Sequence, residues 1–294
     1  MVDKGSMNET IKIVECPRDA WQGLPVQIAP EVKAGYLRRL VEAGFTHIDA
    51  VSFVSPVAVP QMADSERVLD LLGPQKNVEI IGIVVNEKGA ERALHTGAVQ
   101  TLGFPYSISA EFLQRNQHQS PQSSLAELRA VVARARDAGL NVVTYLSMAF
   151  GNPYGEAWSV GAVVEACASL ADCGVREISL ADTVGVATPE QIARTVCAVI
   201  AAQDEIELGL HLHARKADAP ARIGAAYEAG CRRFDAAIGG LGGCPFAQDA
   251  LVGNLPTESL LATLMEYGVK LPNLGPLNEL ISASAEIAAR YNPG

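Results

Sequence analysis

Short apolar, β-rich runs alternate with helical patterns along almost the whole chain. The runs read as strands at 11–15, 46–52, 78–85, 99–104, 141–147, 175–181, 206–213 and 232–239. Between them, 31–44, 123–139, 159–174 and 188–203 carry apolar residues at helical spacing. Thr188 and Pro189 supply an N-cap and a first helical residue, whereas Gly44, Gly139 and Gly174 stand where helices should stop. A glycine-stopped helix followed by a short strand recurs in EAGFTHID, DAGLNVV, DCGVREI and EAGCRRF. Eight such units predict an α/β protein, a single eight-stranded parallel (β/α)8 barrel ringed by helices. The rival is an open doubly wound sheet, which loses weight because no GxGxxG follows the first strand. Residues 276–291 predict an additional C-terminal helix that either covers the barrel or builds a dimer contact.

The chain has 294 residues, within reach of one barrel domain, and no linker divides it. Residues 1–9 read as a flexible leader with a cloning remnant at Gly5-Ser6-Met7. Apolar residues make up 49% and charged ones 19%, which excludes wholesale disorder. The formal charge of −10 argues against nonspecific binding to nucleic acid or anionic membrane, and no run approaches a membrane span. The first ten residues are polar and unlike a signal peptide. Six cysteines, none in a CxxC pair, fit reduced thiols and a cytoplasmic protein.

In such a barrel the chemistry belongs at the C-terminal ends of the strands. The polar residues there are Arg18, Asp19 and Gln22 after the first strand, Asp49 and Ser52 on the second, and Tyr145 and Ser147 on the fifth. Asp182 and Thr183 follow the sixth, His211 and His213 end the seventh, and Cys244 and Asn254 lie in a glycine-rich stretch after the eighth. His211 and His213, two apart on a strand, face the same side. Bare, HxH is open to a reading as two ordinary histidines. At a strand end, with Asp19 and Asn254 adding oxygens, the set suits Mg²⁺, Mn²⁺ or another cation used as a Lewis acid. Arg18-Asp19 reads either as a surface ion pair or as part of the site. Asp49, inside an apolar strand, needs a partner, and Arg18 is a candidate. Asp182-Thr183 either binds substrate or caps a turn. His47, His95 and His118 read as structural or surface residues.

Together the stretches IKIVECPRDAWQ, IDAVSFVSPVAVPQMAD, SLADTVGVATP, LHLHA and GGLGGCPFAQDALVGNLPTE resemble the 3-hydroxy-3-methylglutaryl-CoA lyase family. That resemblance implies a TIM barrel, an acyl-CoA substrate, and cleavage to acetyl-CoA and acetoacetate assisted by Mg²⁺ or Mn²⁺. It implies metal ligands Asp19, His211, His213 and Asn254. Arg18, Asp49 and Cys244 take catalytic roles, with Arg18 meeting oxyanion charge and Cys244 a mobile-loop thiol in proton transfer. It implies that Gln22 and Ser52 lie near substrate, Asp182 and Thr183 stay substrate-binding candidates by their place at the strand end, and a homo-oligomer, a dimer, is expected. The chain departs from the family pattern at Ala20 and Trp21, where glycine and leucine are usual, with Trp21 expected to add bulk near the pocket. Asp49 stands for glutamate, Ala214 and Arg215 follow the histidines, and Met148 and Asn152 stand where many members have cysteines. These departures bear on the substrate more than on the reaction. The competing readings are a related aldolase or lyase acting on a different hydroxyacyl-CoA or 2-oxo acid, and a barrel without catalysis that serves as a binding protein.

Overall fold

The computed structural model describes residues 10–242 and 252–292. The leader 1–9 and Cys244 lie outside the described residues.

All eight expected strands form: β1 (Lys12–Glu15), β2 (His47–Ser52), β3 (Glu79–Ile83), β4 (Thr101–Ser107), β5 (Asn141–Ser147), β6 (Glu177–Asp182), β7 (Glu207–Leu212) and β8 (Arg233–Ala236). They run parallel in sequence order and close through β1 on β8, with Lys12 opposite Arg233 and Glu15 opposite Ala236. No strand edge is left unpaired around the ring, and every strand's C-terminal end reaches the same mouth.

The expected helices are found at Pro30–Glu42, Pro121–Asp137, Val160–Asp172, Pro189–Ala202 and Asn278–Tyr291. Thr188 caps its helix through Gln191 in a reciprocal box. The helix expected from 123 starts earlier, because Ser120 is the cap and Pro121 the first helical residue. Gly44, Gly139, Gly174 and Gly230 all have positive φ, a conformation that costs glycine alone little, and this turns each helix sharply into the next strand. Leu280, Ala283, Ile287 and Tyr291 of the last helix are buried against the barrel's own core, so this helix covers the barrel.

Most of the core lies between barrel and helices, and a small cluster of Val14, Cys16, Ile81, Ile83, Val143 and Tyr145 fills the inside of the barrel. Trp21 is 1% exposed and stacks edge-on against Tyr36 at 5.5 Å. Its bulk therefore packs into the outer core and not into the pocket, contrary to the expectation from sequence.

Candidate active site

Two local features deliver the first group of polar residues. Pro17–Gln22 folds as a single short helix directly after β1, with Pro17 at its first position. Helical spacing then sets Gln22 four residues from Arg18 and three from Asp19, so the three side chains meet. Arg18 Nη1 donates to Gln22 Oε1 at 2.9 Å and to Asp19 Oδ1 at 3.0 Å, and Gln22 Nε2 donates to the same Asp19 oxygen at 2.9 Å. In β2 the register against β3 shifts between Asp49 and Val51. Such an irregularity re-aims side chains. Here it lets Asp49 and Ser52, three residues apart, both serve the mouth.

Asp49 is fully buried and grips Arg18 with both oxygens: Nε donates to Oδ1 at 3.0 Å and Nη2 to Oδ2. Burial raises the Asp49 carboxyl, and Arg18 only partly offsets that. The Arg18 charge is thus held from two sides by carboxylates, a fixed cation at the floor of the mouth.

β7 supplies His211, and His213 follows one residue past its end. His213 lies in a bridge with Asn254, where Ala214 N donates to Gly253 O at 3.0 Å and Leu255 N to Leu212 O at 3.0 Å. The chain after the glycine-rich stretch is thereby stitched back onto β7, which carries Asn254 to Asp19. Asn254 Nδ2 donates to Asp19 Oδ2 at 2.8 Å and to Leu241 O at 2.9 Å.

Asp19, His211 and His213 are all buried, and each offers one ligand atom within 4.8 Å of the others. His211 Nε2 lies 3.8 Å and His213 Nε2 4.0 Å from Asp19 Oδ2. The three ligand atoms are close enough together that one divalent cation would be held between them. His213 Nδ1 pairs with Thr183 O at 3.2 Å, while its Nε2 is buried without a hydrogen-bond partner among the described residues. A buried ring nitrogen left open beside a carboxylate fits a metal ligand. Burial, reinforced by the His211 charge, brings His213 down to about 4, which leaves that nitrogen unprotonated at neutral pH. Burial also opposes charge on His211, but the flanking Asp19 and Asp235 carboxylates prevail and lift it to about 10. Burial alone would raise Asp19, yet Arg18 and the two imidazoles hold it far below the usual carboxylate range.

A cavity of about 190 Å³ opens over this floor, lined by Arg18, Asp19, Gln22, Ser52, Thr183, His211 and His213. The rest of its lining is largely apolar, with Val54, Val59, Ile83, Val85, Pro105 and Phe112 beside the polar Asn116 and Gln117. Of the residues expected near substrate, Gln22, Ser52 and Thr183 line the cavity. Thr183 Oγ1 also accepts from Met148 N at 2.9 Å. Asp182 does not line it. Its oxygens accept from Val186 N, Ala187 N and Arg222, and so brace the loop after β6. Arg222 extends the brace to His213 O at 2.7 Å and Gly185 O at 3.1 Å. Arg215 is exposed, and Asn152 orders its own loop by accepting from Tyr154 N and Glu156 N.

Two contributors went unnoticed in the sequence, Arg222 and Asp235. Asp235 is an acid inside an apolar strand, the same signal that singled out Asp49. Arg222 carries no such signal, because its partners lie nine to forty residues away.

Fold and site together define a TIM-barrel enzyme with a candidate divalent-cation centre at its mouth. The HMGL-like family model matches residues 10–284, and the chain belongs to that family. The match, with the lyase relatives that follow, makes this chain an enzyme of the oxo-acid lyase type. The chain is similar to the hydroxymethylglutaryl-CoA lyase YngG of Bacillus subtilis, 34% identical over 275 residues, covering 94% of this chain and 90% of that protein. The mitochondrial hydroxymethylglutaryl-CoA lyase of Bos taurus is 35% identical over 290 residues, covering 98% and 88% respectively. Among solved structures, an HMG-CoA lyase from Acenitobacter baumannii in complex with coenzyme A and 3-methylmalate superposes with a TM-score of 0.87 at 33% identity, covering 96% of this chain and 91% of that one.

Proposed function

We propose that this enzyme cleaves 3-hydroxy-3-methylglutaryl-CoA to acetyl-CoA and acetoacetate with the help of Mg²⁺ or Mn²⁺. The observation that carries the reading is the buried Asp19–His211–His213 cluster, with Asn254 against it and Arg18 beside it, on the floor of one cavity. Asp19, His211, His213 and Asn254 would hold the cation. When bound, it acidifies a hydroxyl and polarises a carbonyl oxygen.

The chain's own residues account for the rest. The substrate's tertiary hydroxyl loses its proton, the C2–C3 bond breaks, and the oxygen's electron pair forms the ketone of acetoacetate. The bond pair remains on the acetyl-CoA enolate. Arg18, fixed by Asp49 and Asp19, needs no reorganisation to meet negative charge on oxygen. Gln22 keeps Arg18 and Asp19 in register, and Ser52 and Thr183 offer hydroxyls to the bound acid. The enolate carbon then takes a proton, which we assign to the Cys244 thiol. The hydroxyl proton leaves to solvent water and solvent water reprotonates the Cys244 thiolate, so over a turnover the protons balance. The same reading makes the enzyme a cytoplasmic homodimer. Free thiols at Cys16, Cys167, Cys173, Cys197 and Cys231 suit a reducing compartment.

The test is acetyl-CoA release from 3-hydroxy-3-methylglutaryl-CoA with Mg²⁺, with Mn²⁺ and after EDTA treatment. Cleavage that needs the cation is expected, and full activity in EDTA would refute the metal-assisted route. The largely apolar lining favours a second reading, a 3-hydroxyacyl-CoA with a longer alkyl branch at C3. A higher kcat/KM for a 3-propyl than for a 3-methyl substrate would establish it.

A further inference from the structure

Each imidazole of the cluster turns its ε nitrogen towards Asp19. A ligating imidazole also needs an acceptor behind its δ nitrogen, which fixes tautomer and ring plane. For His213 that acceptor is the Thr183 carbonyl, at 3.2 Å. His211 Nδ1 is buried and makes no hydrogen bond among the described residues, and the oxygen that faces it is Asp235 Oδ2, at 3.5 Å.

We propose that Asp235, held in place by Ser179, is a positioning residue that keeps the His211 ring ready to ligate through Nε2. Asp235 projects from β8 into the barrel and is 1% exposed. Ser179 Oγ on β6 donates to the same Oδ2 at 2.7 Å. Arg233 Nη2, fully enclosed in the barrel, lies 3.5 Å from the other oxygen. The carboxylate is therefore bound from the side by a hydroxyl and faced from below by a cation, and the oxygen that accepts from Ser179 is the one turned towards His211. Closing 3.5 Å to an ordinary 2.9 Å needs only a small tilt of the ring, which anchoring Nε2 above would supply. Tyr145 packs edge-on against the same ring at 5.8 Å and limits its swing.

This role rests on the metal reading, so binding is measured apart from turnover. Mn²⁺ is titrated into wild-type protein and Asp235→Asn, with free Mn²⁺ read by electron paramagnetic resonance. Loss of an outer carboxylate partner should raise the Kd about 10- to 100-fold. In Mg²⁺-loaded protein, ¹⁵N resonances should place the His211 proton on Nδ1 in wild type and show a changed pattern in the variant. A purely structural role, neutralising Arg233, would lower the melting temperature and leave Kd and tautomer alone. A folded Asp235→Asn protein with the wild-type Kd overturns the proposal. If that variant does not fold, Ser179→Ala decides. It should raise Kd about two- to tenfold through the lost hydrogen bond, and an unchanged Kd overturns the role. If wild type itself binds no Mn²⁺, the metal centre fails, and this inference with it.

Discussion

Replacing Asp49 by asparagine changes one oxygen to an amide and keeps the shape. The side chain is fully buried and holds two of the Arg18 donors, one at 3.0 Å, so the change strikes a bidentate pair shielded from water. An amide offers one acceptor, and its NH2 turns a donor against a guanidinium donor. The guanidinium stays charged at any working pH. Breaking a buried pair costs about 3–5 kcal/mol because a charge is left uncompensated. Arg18 keeps Asp19 at 3.0 Å and Gln22 at 2.9 Å, which places the cost near the lower bound. At about 3 kcal/mol, and with about 2–4 °C per kcal/mol in a chain of this size, the melting temperature should fall by about 6–12 °C. An Arg18 no longer held from below loses its aim at the oxyanion, for which about 10²–10³ in kcat is the expected loss. Thermal denaturation and steady-state acetyl-CoA release on the same preparation test both. A melting temperature within about 2 °C of wild type, with kcat within about threefold, would show that Asp49 does not hold Arg18 and would refute the reasoning.

His213→Ala should abolish Mn²⁺ binding, weakening it beyond the roughly hundredfold that an outer partner contributes, with the fold retained by circular dichroism. Wild-type affinity in a titration would remove His213 from the ligand set. Cys244→Ala should lower kcat by about 10²–10⁴, the usual worth of a positioned proton donor, while Mn²⁺ affinity is unchanged. An unaltered rate would end the thiol's assignment. Burial drives Glu15 from an ordinary 4.5 up to about 8, against the pull of the Thr257 hydroxyl and the Ile238 amide. The folded state thus keeps a proton that the unfolded chain gives up between about pH 4.5 and 8, so stability falls as pH rises through that window. At about 1.4 kcal/mol per unit the fall is at most about 5 kcal/mol. Glu15→Gln should flatten the melting temperature against pH over that range, and parallel curves would contradict this.

The barrel was legible because its signals are local. Each strand is a short apolar run, and four of the helix stops are glycines whose positive φ the structure requires. The His211–His213 pair was legible for the same reason, two side chains on one face of one strand. The helix Pro17–Gln22 was not, since six residues are too few to show a 3.6-residue period, although it is what gathers Arg18, Asp19 and Gln22. The role of Trp21 was misjudged because chain proximity to Asp19 says nothing of direction. On a helix residues two apart point about 200° apart, to nearly opposite sides, and Trp21 turns outward to Tyr36. Asp182 was open between substrate and turn, and its hydrogen bonds place it in the turn. The backing of His213 by Thr183 and Arg222, and of His211 by Asp235, depends on strands meeting across the ring, which no local pattern encodes.

The chain leaves the barrel at Gly240 and re-enters it at Gly253, and the two stand in contact: a β-carbon on Gly253 would lie 2.1 Å from Gly240 O. The two ends of the glycine-rich segment therefore meet at a narrow neck. Closing a segment whose ends already touch adds little strain to the scaffold, and its length enters stability only logarithmically. The neck is in effect a socket. A barrel joined to a segment in this way tolerates changes in that segment's length without disturbing its strands. Only glycine fits the rim, and Asn254, next to it, ties whatever is plugged in to the ligand set.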